Sequence, residues 1–190
     1  DIVLSDNAWV YPASHPTNGG SVYFHAASFA VYGASAGFNA NERGHCNSKG
    51  DGRGMGLGSP VSQWGGGGYG GLGGLGTQGG SGSTYGESNA PAQPGSGGAL
   101  RALPVYAIAP TGRGYGGGLI WLNIGNRVTV NGTLMADGGN AYRGGGGSGG
   151  GIYIRCKAFE GADTAMLSAN GGHYTASGGG PEDAGGGGGG

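Results

Sequence analysis

Bulky aliphatic side chains and charge are both in short supply in this sequence. Of 190 residues only 28 are Val, Leu, Ile or Phe, about 15%, below the level at which a chain builds one large apolar core. An enzyme domain of ordinary build is therefore not expected. Charged residues amount to 10%, nine Lys and Arg nearly cancel ten Asp and Glu, and the net charge is −1. That leaves no electrostatic footprint for nucleic acid or for an anionic membrane surface. No run approaches the roughly 18 apolar residues of a membrane helix, and no basic segment leads into an apolar one as in a secretory leader. With Asp1 rather than Met at its head, the sequence reads as mature or excised. Cysteine is limited to Cys46 and Cys156, 110 positions apart, too far for a redox or zinc CxxC pair. Two readings stay open for them: one long-range disulfide in an oxidising compartment, or two separate buried thiols. Helical periodicity is sustained nowhere.

Glycine is what the sequence has in excess, 54 residues or about 28%. Uninterrupted runs such as Gly65 to Gly68 and Gly185 to Gly190 break the every-third-residue rule and exclude collagen. With 10 Tyr, 4 Phe and 3 Trp and little net charge, the chain is not of the usual disordered kind either. Such a composition is familiar from extracellular structural material.

The strongest pattern is an internal repeat. Gly118-Leu119-Ile120-Trp121-Leu122 and Gly151-Ile152-Tyr153-Ile154-Arg155 are offset by 33, and the same offset carries Leu134-Met135-Ala136-Asp137 onto Leu167-Ser168-Ala169-Asn170. A looser copy opens the chain, with Ser21-Val22-Tyr23-Phe24-His25 for the first stretch and Phe38-Asn39-Ala40-Asn41 for the second. Apolar residues alternate within each stretch, which is the period of a strand. Asn131-Gly132, Asp137-Gly138 and Asn170-Gly171 punctuate them as corners, and the alignment of Asp137 with Asn170 points to a turn role. Short strands at a fixed period, none able to bury its face alone, predict an all-β, Gly-rich parallel β-solenoid with a thin core. Hairpins at the same corners would give an antiparallel sandwich instead. The chain is read as one domain, with a first copy over 19–43, a Gly-rich insertion over 44–110, and further copies over 116–148 and 149–190. Aspartate at Ile152 or Leu167 is expected to abolish folding.

The insertion holds five of the eight prolines and sets single large residues into glycine, as in Trp64-Gly65-Gly66-Gly67-Gly68-Tyr69-Gly70-Gly71. A flexible linker would favour Ser and avoid Trp, Leu and Tyr. An ordered segment is expected, its glycines packing backbone to backbone as polyglycine-II strands with neighbours on several sides to offset the entropy of fixing them.

Together with Gly44-His45-Cys46, Thr84-Tyr85-Gly86-Glu87, Pro94-Gly95-Ser96-Gly97-Gly98, and the run from Gly144 through Gly151 into Ile152-Tyr153-Ile154, these segments resemble the Gly-rich repeat regions of large secreted or cell-surface adhesin-like or matrix-like proteins. The likeness spans most of the chain from Gly19 onward and implies an extracellular setting. The insertion is also similar in composition to the tip adhesins of tailed phages, whose glycine segments pack as a sandwich. In the resembling pattern a final Gly run leads into another strand, so the stop at Gly190 marks either a fragment or a strand supplied by a neighbouring molecule.

Chemistry-bearing residues are few. His15, His25, His45 and His173 show no metal-protease spacing, and His45 beside Cys46 lacks identifiable partners for a metal, so neither metal nor cofactor is expected. Asp51, Asp137, Glu160, Asp163, Glu182 and Asp183 are the scattered candidates for acid–base work, and no enzyme is expected from them. With only Lys49 and Lys157 and no helix, a phosphate-cradling loop is not expected. Asn131-Gly132-Thr133 is a glycosylation sequon. Trp9, Tyr11, Trp64, Tyr69, Tyr85 and Tyr115 are candidates for stacking on sugars or on another chain, or for filling gaps. Asp1-Ile2-Val3-Leu4 is a candidate edge strand for an open coil. The expected function is a secreted structural subunit of a self-assembling fibre, matrix or surface layer, with other copies as partners. The alternative is a surface adhesin contacting glycans or a host receptor.

Overall fold

The alternating stretches form short strands, and every strand-to-strand pairing among them is parallel. The structure, a computed structural model, describes residues 1–54, 64–76, 80–99, 113–142, 144–175 and 186–190. Parts of the expected insertion, 55–63, 77–79 and 100–110, lie outside the described residues. No helix occurs among the described ones. The hairpin alternative therefore gives way to an all-β, parallel arrangement.

The chain passes through three sheets in the same order each time. One pass is β3 (Tyr23–Ala26), β4 (Phe29–Tyr32) and β5 (Gly37–Asn39); the next is β6 (Leu119–Ile124), β7 (Arg127–Val130) and β8 (Thr133–Met135), extended by β9 (Ala141–Tyr142). The last is β10 (Gly151–Arg155), β11 (Ala158–Gly161) and β12 (Met166–Ser168), with β13 (Tyr174–Thr175) paired to β9. Ahead of them β1 (Ile2–Ser5) and β2 (Trp9–Val10) add a partial pass. The sheet orders are β1-β4-β7-β11, β10-β6-β3 and β12-β8-β5-β2.

The repeat offset of 33 holds at β12 on β8, where Leu167 faces Leu134, and at β13 on β9. It does not hold at β10 on β6, where Gly151 faces Leu119, an offset of 32, nor at β11 on β7, where Ala158 faces Arg127, an offset of 31. At β10 the cause is side-chain parity. A one-residue slip turns every side chain to the other face. At an offset of 32, Ile152 falls on Ile120 and Ile154 on Leu122, keeping the apolar residues on one face, and Tyr153 falls on Trp121 on the other.

Between the sheets lies a narrow core of Phe29, Val31, Phe38, Ile120, Leu122, Ile124, Val128, Val130 and Leu134, with Ala36, Ala40 and Ala136 where space is least. Phe38 meets Phe24 and Phe29 edge to face, at ring-centroid distances of 5.1 and 5.3 Å. Few bulky residues suffice because each pass contributes only one or two inward side chains per strand.

The glycine runs build a second kind of order. Along 145–150, Gly145 donates its N–H to Ala99, Gly147 to Gly139, Ser148 to Ser96, Gly149 to Gly188 and Gly150 to Ala136. The same run accepts from Gly67, Gly117 and Gly172. Bonds thus leave one segment toward several neighbours, whereas a sheet strand has two. Such spacing excludes side chains: a Cβ on Gly149 would stand 1.9 Å from the Ala169 oxygen, and one on Gly187 1.8 Å from that of Gly147. Ser96 and Ser148 are buried within it, the Ser96 N–H donating to Ser148 Oγ at 2.8 Å. Insertion glycines and repeat glycines interleave, so the described part of the insertion is not a separate appendage. The terminal run 186–190 is built in as well, with Gly187 bonded to Gly172, Gly188 to Gly67 and Gly190 to Ala169.

Candidate interaction surfaces

Corners position the strands, and polar side chains there are used internally. Asn41 Oδ1 accepts the Asp137 N–H at 2.7 Å, and Asp137 Oδ1 accepts the Asn170 N–H at 2.7 Å, so one corner is a three-step ladder through successive passes. Asn140 Oδ1 likewise accepts from His173, and Asn131 Oδ1 accepts from Ala162 at 3.0 Å. The sequon asparagine is thus a half-buried corner residue.

The candidate stacking aromatics divide. Trp64 and Tyr69 are buried, Tyr69 to 3% exposure, so neither offers a ring face to a ligand; large rings in glycine surroundings fill space that glycine leaves. Tyr85 meets Tyr69 at a tilt, with ring centroids 4.8 Å apart, and donates its hydroxyl to the Pro94 carbonyl. Burial pushes the phenols of Tyr69 and Tyr85 above the usual tyrosine range. Tyr11 is exposed with the Arg43 guanidinium 5.0 Å from its ring centroid, and half-buried Tyr115 accepts from Arg113 at 3.1 Å. Trp9 is half-buried in β2.

A different aromatic row was not anticipated. Tyr23, Trp121 and Tyr153 stand in register across β3, β6 and β10, with centroid distances of 4.9 Å for the first pair and 6.2 Å for the second. Beside them His25, Asn123 and Arg155 form a polar row in the same registers. An alternation count starting at Leu119 could have found it, once the offset of 32 was used.

Cys46 and Cys156 are free thiols, which corrects the disulfide candidate. Cys156 packs against the apolar core, whereas Cys46 belongs to the glycine array, its N–H donating to Pro16. Among the described residues no three or more His, Cys, Asp and Glu gather as a group that could hold a metal ion.

Asp1 to Leu4 do form a strand edge, but within their own chain: β1 is paired to β4 from Ile2 on Phe29 to Ser5 on Tyr32. The Ile2 N–H donates to Ser28, so by strand alternation the backbone of Val3 points to the outer edge. At the other end of the stack β10, β11 and β12 are the outer strands. Phe159, Met166 and Leu167 are 49%, 46% and 47% exposed there, whereas Val128 and Leu134, the counterparts of Phe159 and Leu167 one pass earlier, are fully buried. Ile152 and Ile154 are only half-buried. The end is apolar, and Ser88, Asn89 and Pro91 line a groove beside Ile152, Ile154, Phe159 and Leu167 there.

No family model, curated protein or solved structure matches the chain.

Proposed function

We propose that the chain is a Gly-rich β-solenoid, braced by a polyglycine-II array, that serves as a structural module of an extracellular fibre, matrix or surface layer and joins copies of itself head to tail. The observation that carries this reading is the apolar edge formed by β10, β11 and β12. In each sheet that edge lies opposite β3, β1 and β2 respectively. A second copy placed with its β1 and β2 on the β11 and β12 of its neighbour continues those two four-stranded sheets with every strand still parallel, while the third sheet, one strand shorter, is left with a one-strand gap between β10 and the copy's β3. Such a contact is heterologous, so it propagates into filaments unless rotation closes it. Covering the exposed half of Phe159, Met166 and Leu167 gains about 1 kcal/mol each, against which stands the cost of association. Low charge on the chain leaves little repulsion between copies. No catalytic role is assigned in this reading.

Electron microscopy of the purified chain tests it: filaments whose axial repeat is one subunit are expected. Discrete monomers at high concentration would overturn self-assembly and turn attention to the second reading, a glycan-contacting surface module. What favours that second reading is the row of Tyr23, Trp121 and Tyr153 with its polar neighbours, since aromatic faces beside hydrogen-bonding groups suit sugars. Alanine at Tyr23 and Tyr153 would then abolish glycan binding without unfolding the chain.

A further inference from the structure

A polar cavity of about 590 Å³ opens where residues 48–53 meet 17–19 and 92–94. Its charged lining is uneven. Lys49 and Arg53 contribute two cations and Asp51 one anion, in a chain with only nine Lys and Arg altogether. The one ion pair among the described residues is Arg127 with Glu160, so neither Lys49 nor Arg53 is neutralised by a carboxylate within salt-bridge distance. Asn18 and Gln93 add amides to the rim, and Tyr85 forms part of the wall.

His45 lines the same cavity, 8% exposed, and its Nδ1 has no hydrogen-bond partner. Burial holds its imidazole below the ordinary value, against smaller opposing pulls from the Pro16 carbonyl and Asp51. The ring is therefore neutral at neutral pH and leaves the cavity net positive by one charge. The backbone is fixed in shape: Gly50 adopts φ +91°, and its Cβ would meet Ser96 Oγ at 2.3 Å, so a side chain there would strike the wall.

We infer that this cavity binds a small hydroxylated carboxylate of the acidic-sugar class, with Arg53 and Lys49 holding the carboxylate and Asp51, Asn18 and Gln93 holding hydroxyls. Guanidinium and ammonium groups bind carboxylates by charge-assisted hydrogen bonds, and the guanidinium fork does so through two at once. Asp51 accepts from hydroxyl donors and repels a second anionic group, which selects a monoacid over a polyphosphate. The amides supply both donors and acceptors for neutral hydroxyls. This assignment does not depend on end-to-end assembly, since the cavity residues lie outside β1, β2, β3 and β10–β12.

Titration calorimetry of the full chain with D-glucuronate, with methyl glucoside and acetate as comparison probes, tests it. Saturable binding of glucuronate, at least tenfold tighter than either comparison, is expected. Arg53→Gln and Lys49→Gln should each weaken it about tenfold or more, Asp51→Asn should strengthen acetate binding and so narrow the preference for glucuronate over acetate, and Lys157→Gln should change nothing. Both cations are exposed side chains, and matching thermal unfolding of the variants and the parent chain verifies that folding is retained. Absence of glucuronate binding overturns the inference, as does binding unaffected by both Arg53→Gln and Lys49→Gln. Acetate binding as tightly as glucuronate overturns the sugar assignment and leaves a carboxylate site only.

Discussion

Leu167 sits in register on Leu134, with the same neighbours in sequence pattern, yet Leu134 is fully buried and Leu167 is half exposed. The difference is position in the stack: Leu134 has a strand on either side, Leu167 on one only. Leu134→Ala should therefore cost about 2–5 kcal/mol in chemical denaturation, and Leu167→Ala much less, measured on dilute, unassembled protein. This replaces the expectation that Leu167 is needed for folding. Leu167→Asp should leave a folded chain that no longer forms filaments, seen as an unchanged circular dichroism spectrum and a single slow boundary in sedimentation.

Val3→Pro addresses the opposite edge. The Val3 N–H points away from β4 and its side chain is exposed, and proline is tolerated on a strand edge that faces solvent. Unfolding should be nearly unaffected while filament length falls sharply by microscopy. Normal filaments from this variant would show that β1 is not part of the joint.

Glycine positions in the array differ sharply in what they tolerate. Gly149→Ala would place a methyl group 1.9 Å from the Ala169 oxygen and should destabilise by several kcal/mol or prevent folding. Gly189→Ala, whose added Cβ meets nothing closer than 4.0 Å, should be neutral in the same melting experiment.

Asp137 links two passes, accepting from the Asn170 N–H and from the Ser168 hydroxyl. Asp137→Ala strands the Asn170 amide donor and should cost about 1–3 kcal/mol. Asp137→Asn, which keeps an acceptor oxygen, should recover most of it.

His45 predicts an acid limb. Because burial lowers its pKa from 6.5, the unfolded chain binds a proton that the folded chain resists. Stability should be full above about 6.5 and fall as pH drops below it. His45→Gln should flatten that limb in a melting-temperature profile across pH 4 to 8. By contrast, reducing agent should leave the melting temperature unchanged, because Cys46 and Cys156 are separate thiols.

Parallel strands, the thin core and the corner role of Asp137 were legible because alternation and turn residues are local signals. The pairing of Phe38 with Leu134 was legible for the same reason. The register of β10 on β6 was not, because glycine flanks both stretches and matches itself at any offset; only inward and outward parity decides it. Trp64 and Tyr69 were ambiguous since a ring set in glycine has the same sequence whether it fills a hole or faces solvent. The cavity around Lys49 and Arg53 was invisible, its walls coming from segments some 30 to 75 positions apart that the glycine array alone brings together.

The array also fixes how this chain can change over generations. Every missense substitution in a glycine codon adds at least a Cβ, and at most positions of the array that atom lands on a neighbour's backbone, which cannot step aside. Selection there acts on volume rather than on chemistry. Diversity is free to collect where side chains already point outward, at Tyr23, Trp121 and Tyr153 and around the rim of the polar cavity, so related sequences should differ most where they meet other molecules.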